Sequence, residues 1–174
     1  MIATSAFFIV FRLLHIVAGA IWVGMSFMFL AVIGPTAGKL GPAAGPFMTA
    51  LGRKAPRIFT IIATTALLAG WAMWLKIGSD YPSFGDWVTS RYGLGITIGA
   101  VLATVAYLGG MLGTGPTVTK LAALGEQIAA GGGPPTAEQQ AELARLQGVV
   151  KGHGMRDLPL LLLAVAAMAT ARYW

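Results

Sequence analysis

Residues 6–33, AFFIVFRLLHIVAGAIWVGMSFMFLAVI, form an apolar run in which Arg12 and His15 are the two ionisable residues. A helix of roughly 20 apolar residues crosses the hydrocarbon core of a bilayer, which is about 30 Å thick. The run is too long for the core of a signal peptide, and no basic residue precedes it. We therefore interpret it as a transmembrane helix.

The rest of the chain shares this apolar character. Of its 174 residues, 56% are hydrophobic and 10% are charged, and the mean hydropathy is +0.75. Soluble domains have about 25% charged residues, and disordered chains combine low hydrophobicity with high charge, so both classes are excluded. The chain has no cysteine, which excludes disulfides, iron–sulfur clusters and thiolate metal sites.

Three further segments are long and apolar enough to cross a membrane: 58–77, 92–112 and 158–174. The sequence thus predicts an all-α integral membrane protein, a four-helix bundle formed by one domain over residues 1–174. Small residues at four-residue intervals, as at Gly95 and Gly99, favour close helix packing.

Two predictions concern the third loop and the fourth span. In the loop, amphipathic stretches at 121–128 and 143–150 flank a Gly-Pro segment and predict a small cytoplasmic helical hairpin. Thr136 followed by Gln139 is typical of a capping box. Asp157 and Pro159 predict that the fourth helix begins there.

Basic residues predict the orientation. Eight Lys and Arg lie in the first and third loops and two in the second, where Asp80 and Asp86 offset them. The positive-inside rule then places the first and third loops on the cytoplasmic side of a bacterial inner membrane, with both termini outside.

The sequence has no basic stripe with interleaved aromatic residues, so nucleic acid is not a predicted partner. Aromatic residues near the outer ends predict an interfacial collar: Tyr81, Phe84, Trp87, Tyr92, Tyr173 and Trp174.

The candidate site is a stripe on the first helix. Arg12, His15, Gly19 and Trp22 follow one another at intervals of three or four residues. Ionisable residues inside a span mark functional sites by default because they are costly to keep there. A haem b would use all four: His15 as axial ligand, Arg12 for a propionate, Gly19 for space and Trp22 for edge packing. Met168, and by depth also Met73, are candidates for the second ligand of the iron.

Each residue also has a structural interpretation. His15 can hydrogen-bond to a neighbouring helix, Arg12 can snorkel to the interface, and Gly19 can serve helix packing alone. Methionine is mainly an adaptable core residue. The other histidine, His153, is predicted near the cytoplasmic surface, too far from His15 to share a metal.

The segment LHIVAGAIWVG at 14–24 resembles the first helix of a group of bacterial membrane proteins. The group includes the urate oxidase membrane-domain family, the copper-resistance D family and the protoporphyrinogen oxidase of the HemJ type. Residues 92–99, 115–120 and 153–162 are similar to the urate oxidase membrane-domain type. The resemblance implies a redox-linked, haem-associated bundle in which His15 is the first-helix histidine. The HemJ type has a lysine early in its third helix, where this chain has Gly95, Ile96 and Thr97.

We expect from these patterns a haem-binding electron-transfer protein, alone or as a subunit of an oxidoreductase. The alternatives are a non-catalytic membrane anchoring or assembly subunit and a copper-handling protein that uses His15 and methionines. The expected partners are the lipid bilayer and either further copies of the chain or a larger membrane complex.

Overall fold

The computed structural model describes residues 2–174, with side chains from Ala6 onward. All regular structure in this range is helical. The helices are α1 (Ile2–Met28), α2 (Gly34–Leu40), α3 (Gly45–Gly78), α4 (Phe84–Thr89), α5 (Arg91–Gly109), α6 (Gly115–Ala130) and α7 (Ala137–Thr170). One π-helical turn joins α1 to α2 (Phe29–Ile33) and another joins α5 to α6 (Gly110–Thr114), while 3₁₀ turns cover Gly41–Ala44 and Ala171–Tyr173.

Helices α1 and α3 form the first of two antiparallel hairpins. The chain reverses at Gly41, whose φ of 57° is a conformation that favours glycine. The rings of Phe29 and Phe59 lie 5.4 Å apart in the middle of the hairpin, and His15 contacts Gly70 farther along. The two helices therefore pack along most of their length.

Helices α5 and α7 form the second hairpin, and α6 continues α5 beyond its π-helical turn. The reversal lies between α6 and α7, with Gly132 at a φ of 67°. The capping box begins α7 as predicted, because the hydroxyl of Thr136 accepts from the N–H of Gln139 and the Gln139 side chain accepts from the N–H of Thr136. The hairpin is closed by α5 glycines, such as Gly95 against Ala171 and Gly99 against Met168.

The two hairpins repeat one order of features. In each, a long apolar helix ends in a π-helical turn followed by the motif Gly-Pro-Thr-x-x-Lys-Leu, at 34–40 and at 115–121. The returning helix then carries Arg-x-x-Pro, at 53–56 and at 156–159. The repeat gives the molecule two similar halves. The two histidines are not equivalent in the repeat, because His15 lies on the first helix of its half and His153 lies on the returning helix of its half.

The halves pack together through small residues. A buried cluster between them contains one tryptophan among aliphatic side chains: Ala18, Trp22, Ala63, Ala66, Ala106 and Leu161. On the first part of α3, before Pro56, Gly52 packs against Ala122 of α6. Arg53 there forms a two-point ion pair with Glu126.

Three helical stretches of the described residues are long and apolar enough to cross a membrane: Ala6–Gly78, Arg91–Ala130 and Ala137–Tyr173. Their outward faces carry many exposed apolar side chains, as at Ile9, Leu13 and Leu163. The chain is therefore an all-helical protein with the surface of a membrane protein.

One predicted boundary is wrong. Pro159 lies inside α7, so Asp157 does not begin the fourth helix; its carboxylate pairs with Arg156 at 2.9 Å. Pro56 likewise lies inside α3. The amphipathic stretches of the third loop are helical, but they continue the long helices α5–α6 and α7 without a break. Packing against neighbouring helices keeps α3 and α7 continuous through their prolines, although a proline inside a helix ordinarily kinks or breaks it.

The predicted aromatic collar is partly buried. Trp87 is fully buried, and its ring centroid lies 5.2 Å from that of Tyr81 and 5.8 Å from that of Tyr92. Tyr173 remains highly exposed. Part of the collar is therefore a packed cluster that covers one end of the bundle.

Candidate functional site

The residues of the predicted stripe on α1 face two different parts of the molecule. His15 and Trp22 face α3 and the buried cluster, whereas Arg12 lines a cavity with residues of α5 and α7. Gly19 lies between these two directions on the helical surface. The four residues share one side of α1 but do not converge on one point.

His15 is held by the backbone of α3. Its Nδ1 lies 2.7 Å from the carbonyl oxygen of Ala66. A carbonyl oxygen only accepts hydrogen bonds, so Nδ1 carries the proton and donates it. Gly70 makes this approach possible, because a Cβ at that position would lie 2.8 Å from Cε1 of the ring.

In the neutral imidazole, a proton on Nδ1 leaves the lone pair on the other ring nitrogen, Nε2. Histidine ligands of metals usually donate the second ring N–H to a carbonyl or carboxylate, which fixes the tautomer and the ring plane. The structural interpretation of His15, a bond to a neighbouring helix, is therefore present in the molecule and is compatible with ligation through Nε2.

Gly19 and Trp22 have contrasting surroundings. A Cβ at Gly19 would meet no atom within 4 Å, so open space lies beside this residue. Trp22 is 8% exposed and packs edge-on against Tyr107, with ring centroids 6.4 Å apart. Gly19 thus has open space beside it, while Trp22 is a core residue one turn deeper.

A cavity of about 600 Å³ opens at the end of the bundle where α1 begins and α7 ends. Arg12 and Ile16 line it from α1, Tyr92 from α5, and Met168 and Arg172 from α7 and the 3₁₀ turn that follows. None of these residues is acidic, and among the residues whose side chains are described neither arginine forms an ion pair. The cavity combines a net positive end with an apolar wall.

Met168, predicted by depth as a second ligand at the level of His15, lines the cavity and packs against Gly99. It and the imidazole of His15 lie on different sides of α1, since the ring turns toward α3. No three His, Asp or Glu side chains of the described residues are grouped as a metal site.

His153 occupies a second glycine-lined position. A Cβ at Gly113, in the second π-helical turn, would clash with Cε1 of its ring, and Nδ1 lies 3.4 Å from Oγ1 of Thr114. This contact is longer and weaker than the bond of His15. His153 lies near the middle of α7, against the π-helical turn between α5 and α6.

Several residues of the site do not stand out in the sequence. Arg172 lies at the end of an apolar helix where a basic residue is ordinary, and Tyr92 belongs to the predicted collar. Ala66 contributes only its backbone oxygen, which carries no residue signature. Among these residues, Gly70 alone could have been noticed in the sequence, as a small residue within the second predicted span that allows another side chain to approach closely.

Comparison with family models, curated proteins and solved structures finds no match to the chain. The chemistry of the site therefore rests on its own geometry: an imidazole held by a backbone carbonyl in an apolar helix, and two arginines that line a nearby cavity.

Proposed function

We propose that this protein is a haem-binding electron-transfer protein of the bacterial inner membrane, acting alone or as a subunit of a redox complex. The observation that carries the proposal is the bond from Nδ1 of His15 to the carbonyl of Ala66 at 2.7 Å. It prepares Nε2 as a ligand in a helix where an ionisable residue is otherwise costly.

The donor set fits a haem b. A neutral imidazole is a good ligand of haem iron, and the bond to Ala66 holds the ring against rotation. When bound, the haem would supply reversible one-electron exchange at its iron. The protein's part is to fix the imidazole, to exclude water around it and to balance charge.

Arg12 supplies the charge balance in this proposal. It lies one turn nearer the end of the helix than His15, and its guanidinium lines the cavity. A carboxylate of a haem propionate would find there a donor suited to two-point binding. Met168 lines the wall of the same cavity, whereas the ring of His15 turns toward α3; the two side chains do not meet at one iron, so the proposal keeps His15 as the ligand, and Gly19 provides space along the helix. Trp22 contributes through the buried cluster that supports Ala18 and Ala66.

We propose four crossings, two for each hairpin. The stretch Ala6–Gly78 is 73 residues long, and it folds back at Gly41, so α1 and the second part of α3 each supply a span. The same holds for α5 and the second part of α7. The first part of α3, α6 and the first part of α7 carry most of the basic residues. In the proposal, α6 and the first part of α7 form the cytoplasmic hairpin, and both termini lie outside.

A second candidate is a membrane anchoring or assembly subunit. It is favoured by the exposed apolar face of α1, which includes Ile9 at 68% and Leu13 at 62% exposure. A cavity of about 360 Å³ on this face, between α1 and α3, is almost wholly apolar and suits either lipid chains or a partner helix. Copper handling by His15 and methionines is the third candidate. The resemblance to the urate oxidase membrane-domain and copper-resistance D group agrees with the first and third.

The test is the pair His15→Ala and His153→Ala. We expect detergent-purified wild type, expressed with haem supplementation, to show a Soret band that shifts on reduction. His15→Ala removes this band because the ligand is lost, and His153→Ala keeps it because that ring lies on the other hairpin. Equal spectra for all three proteins, or pure folded wild type without haem, would contradict the proposal.

A further inference from the structure

The cavity lined by Arg12 and Arg172 has a composition that haem ligation does not by itself require. Two guanidinium groups and the ring of Tyr92 line one end, and no acidic residue is among the lining side chains. Two cations held near each other repel unless an anion lies between them. The arrangement is thus suited to a group with more than one acidic oxygen.

The apolar part of the same cavity favours an acidic group that is attached to an apolar body. Ile16, which is 57% exposed, and Met168 form the deeper wall, and the exposed apolar face of α1 continues from Ile16 through Leu13 to Ile9. A small hydrophilic anion would leave this wall in contact with water. A molecule with an apolar body would cover it.

The position of the cavity agrees with an amphiphile. Tyr92 begins α5, and Arg172 follows α7 beside Tyr173 and Trp174, so the guanidinium groups lie at the level of the aromatic residues at the bundle end. A volume of about 600 Å³ lies within the usual range of ligand sites, about 300–1,000 Å³.

We propose that this cavity binds the acidic head of an amphiphile, with Arg12 and Arg172 gripping its oxygens and Ile16 and Met168 covering the start of its apolar body. Phospholipid phosphate and the paired carboxylates of a porphyrin share this chemistry. The porphyrin source rests on the proposed function, whereas the lipid source is independent of it.

Two matched pairs of probes test the site on the purified full chain. Dioleoyl phosphatidylglycerol is compared with dioleoyl phosphatidylcholine by native mass spectrometry, and haem is compared with its dimethyl ester by absorbance titration. We expect the acidic member of at least one pair to bind about tenfold tighter or more, as a charged hydrogen bond to each arginine implies. This preference should fall to near unity in R12Q/R172Q and persist in the control R91Q, whose arginine lies outside the cavity.

The single variant R172Q keeps the proposal testable if the double variant does not fold. Arg172 lies in the terminal 3₁₀ turn, so its replacement leaves the hairpins intact and should remove part of the preference. A preference for the phosphatidylglycerol probe assigns the lipid source, and one for free-acid haem assigns the porphyrin source. No preference in either pair, or one that R12Q/R172Q retains, overturns the proposal.

The two proposals fail separately. His15→Ala leaves a lipid preference unchanged, because His15 does not line the cavity. A lipid preference in a protein without a Soret band defeats haem binding alone. A His15-dependent Soret band, with neither acidic probe preferred, defeats the cavity proposal alone.

Discussion

The glycines of α1 and those of α5 lie in opposite environments. At Gly19 and Gly24 an added Cβ would meet no atom within 4 Å, whereas at Gly95 and Gly99 it would lie 2.7 Å and 2.5 Å from the nearest atoms of Ala171 and Met168. The glycines of α5 thus allow close packing of the second hairpin, whereas those two glycines of α1 have open space beside them. At Gly19 this space lies on the side of α1 that carries His15 and Arg12, which is where a bound molecule would need it.

The largest expected effect concerns the closed glycines. Gly99→Ala brings a Cβ within 2.9 Å of the carbonyl oxygen of Ala164, and backbone cannot yield as a side chain can. We expect a loss of about 1–3 kcal/mol in the free energy of unfolding, as for other overpacked sites. Thermal unfolding in detergent, followed by circular dichroism, measures it.

Gly24→Ala is the matched control on α1. We expect its stability to equal or slightly exceed that of wild type, since alanine has the higher helix propensity. Equal destabilisation by both substitutions would show that the two helices do not differ as described.

The next prediction compares the two histidine positions. Gly70→Ala and Gly113→Ala each press a methyl group against an imidazole, and we expect each to cost about 1 kcal/mol or more. Only Gly70→Ala should also alter the Soret band, because it pushes His15 away from Ala66. Absorbance spectra and unfolding midpoints of both variants check this, and a spectral change confined to Gly113→Ala would reverse the assignment of the two rings.

A smaller effect is expected at the open glycines when a large side chain is introduced. Gly19→Leu should leave unfolding unchanged but lower the haem content severalfold, since the side chain fills space beside His15. Gly24→Leu points elsewhere on α1 and should keep the wild-type content. Haem-to-protein ratios after identical supplementation give the measurement, and equal ratios for the two variants would remove Gly19 from the site.

The smallest effect concerns the exposed pair on the first part of α7. The hydrogen bond from Arg145 lowers the pKa of Glu142 below its usual value. A lowered pKa in the folded state contributes stability at neutral pH, which is lost as the pH falls through that lowered pKa. Glu142→Gln should therefore reduce the unfolding midpoint slightly at pH 7 and leave no difference from wild type at strongly acid pH. A difference that persists in acid would assign the effect to something other than this charge.

Hydropathy and the rarity of ionisable residues in spans account for what could be predicted. The segments around α1 and α5, and the candidates His15 and Arg12, follow from those signals. The extension of α3 and α7 through Pro56 and Pro159 could not be predicted, because it depends on support from neighbouring helices. The partner of His15 is a backbone oxygen, and Arg172 comes near Arg12 only through the packing of α7 on α5.

The pairing of α1 with α3 and of α5 with α7 bears on how the chain is made. Each hairpin consists of helices that follow one another during translation, so the first pair can associate before the second has left the ribosome. Contacts between neighbours in sequence are also those that form fastest. The ion pair of Arg53 with Glu126 joins the two pairs and belongs to the last step, when the completed halves meet.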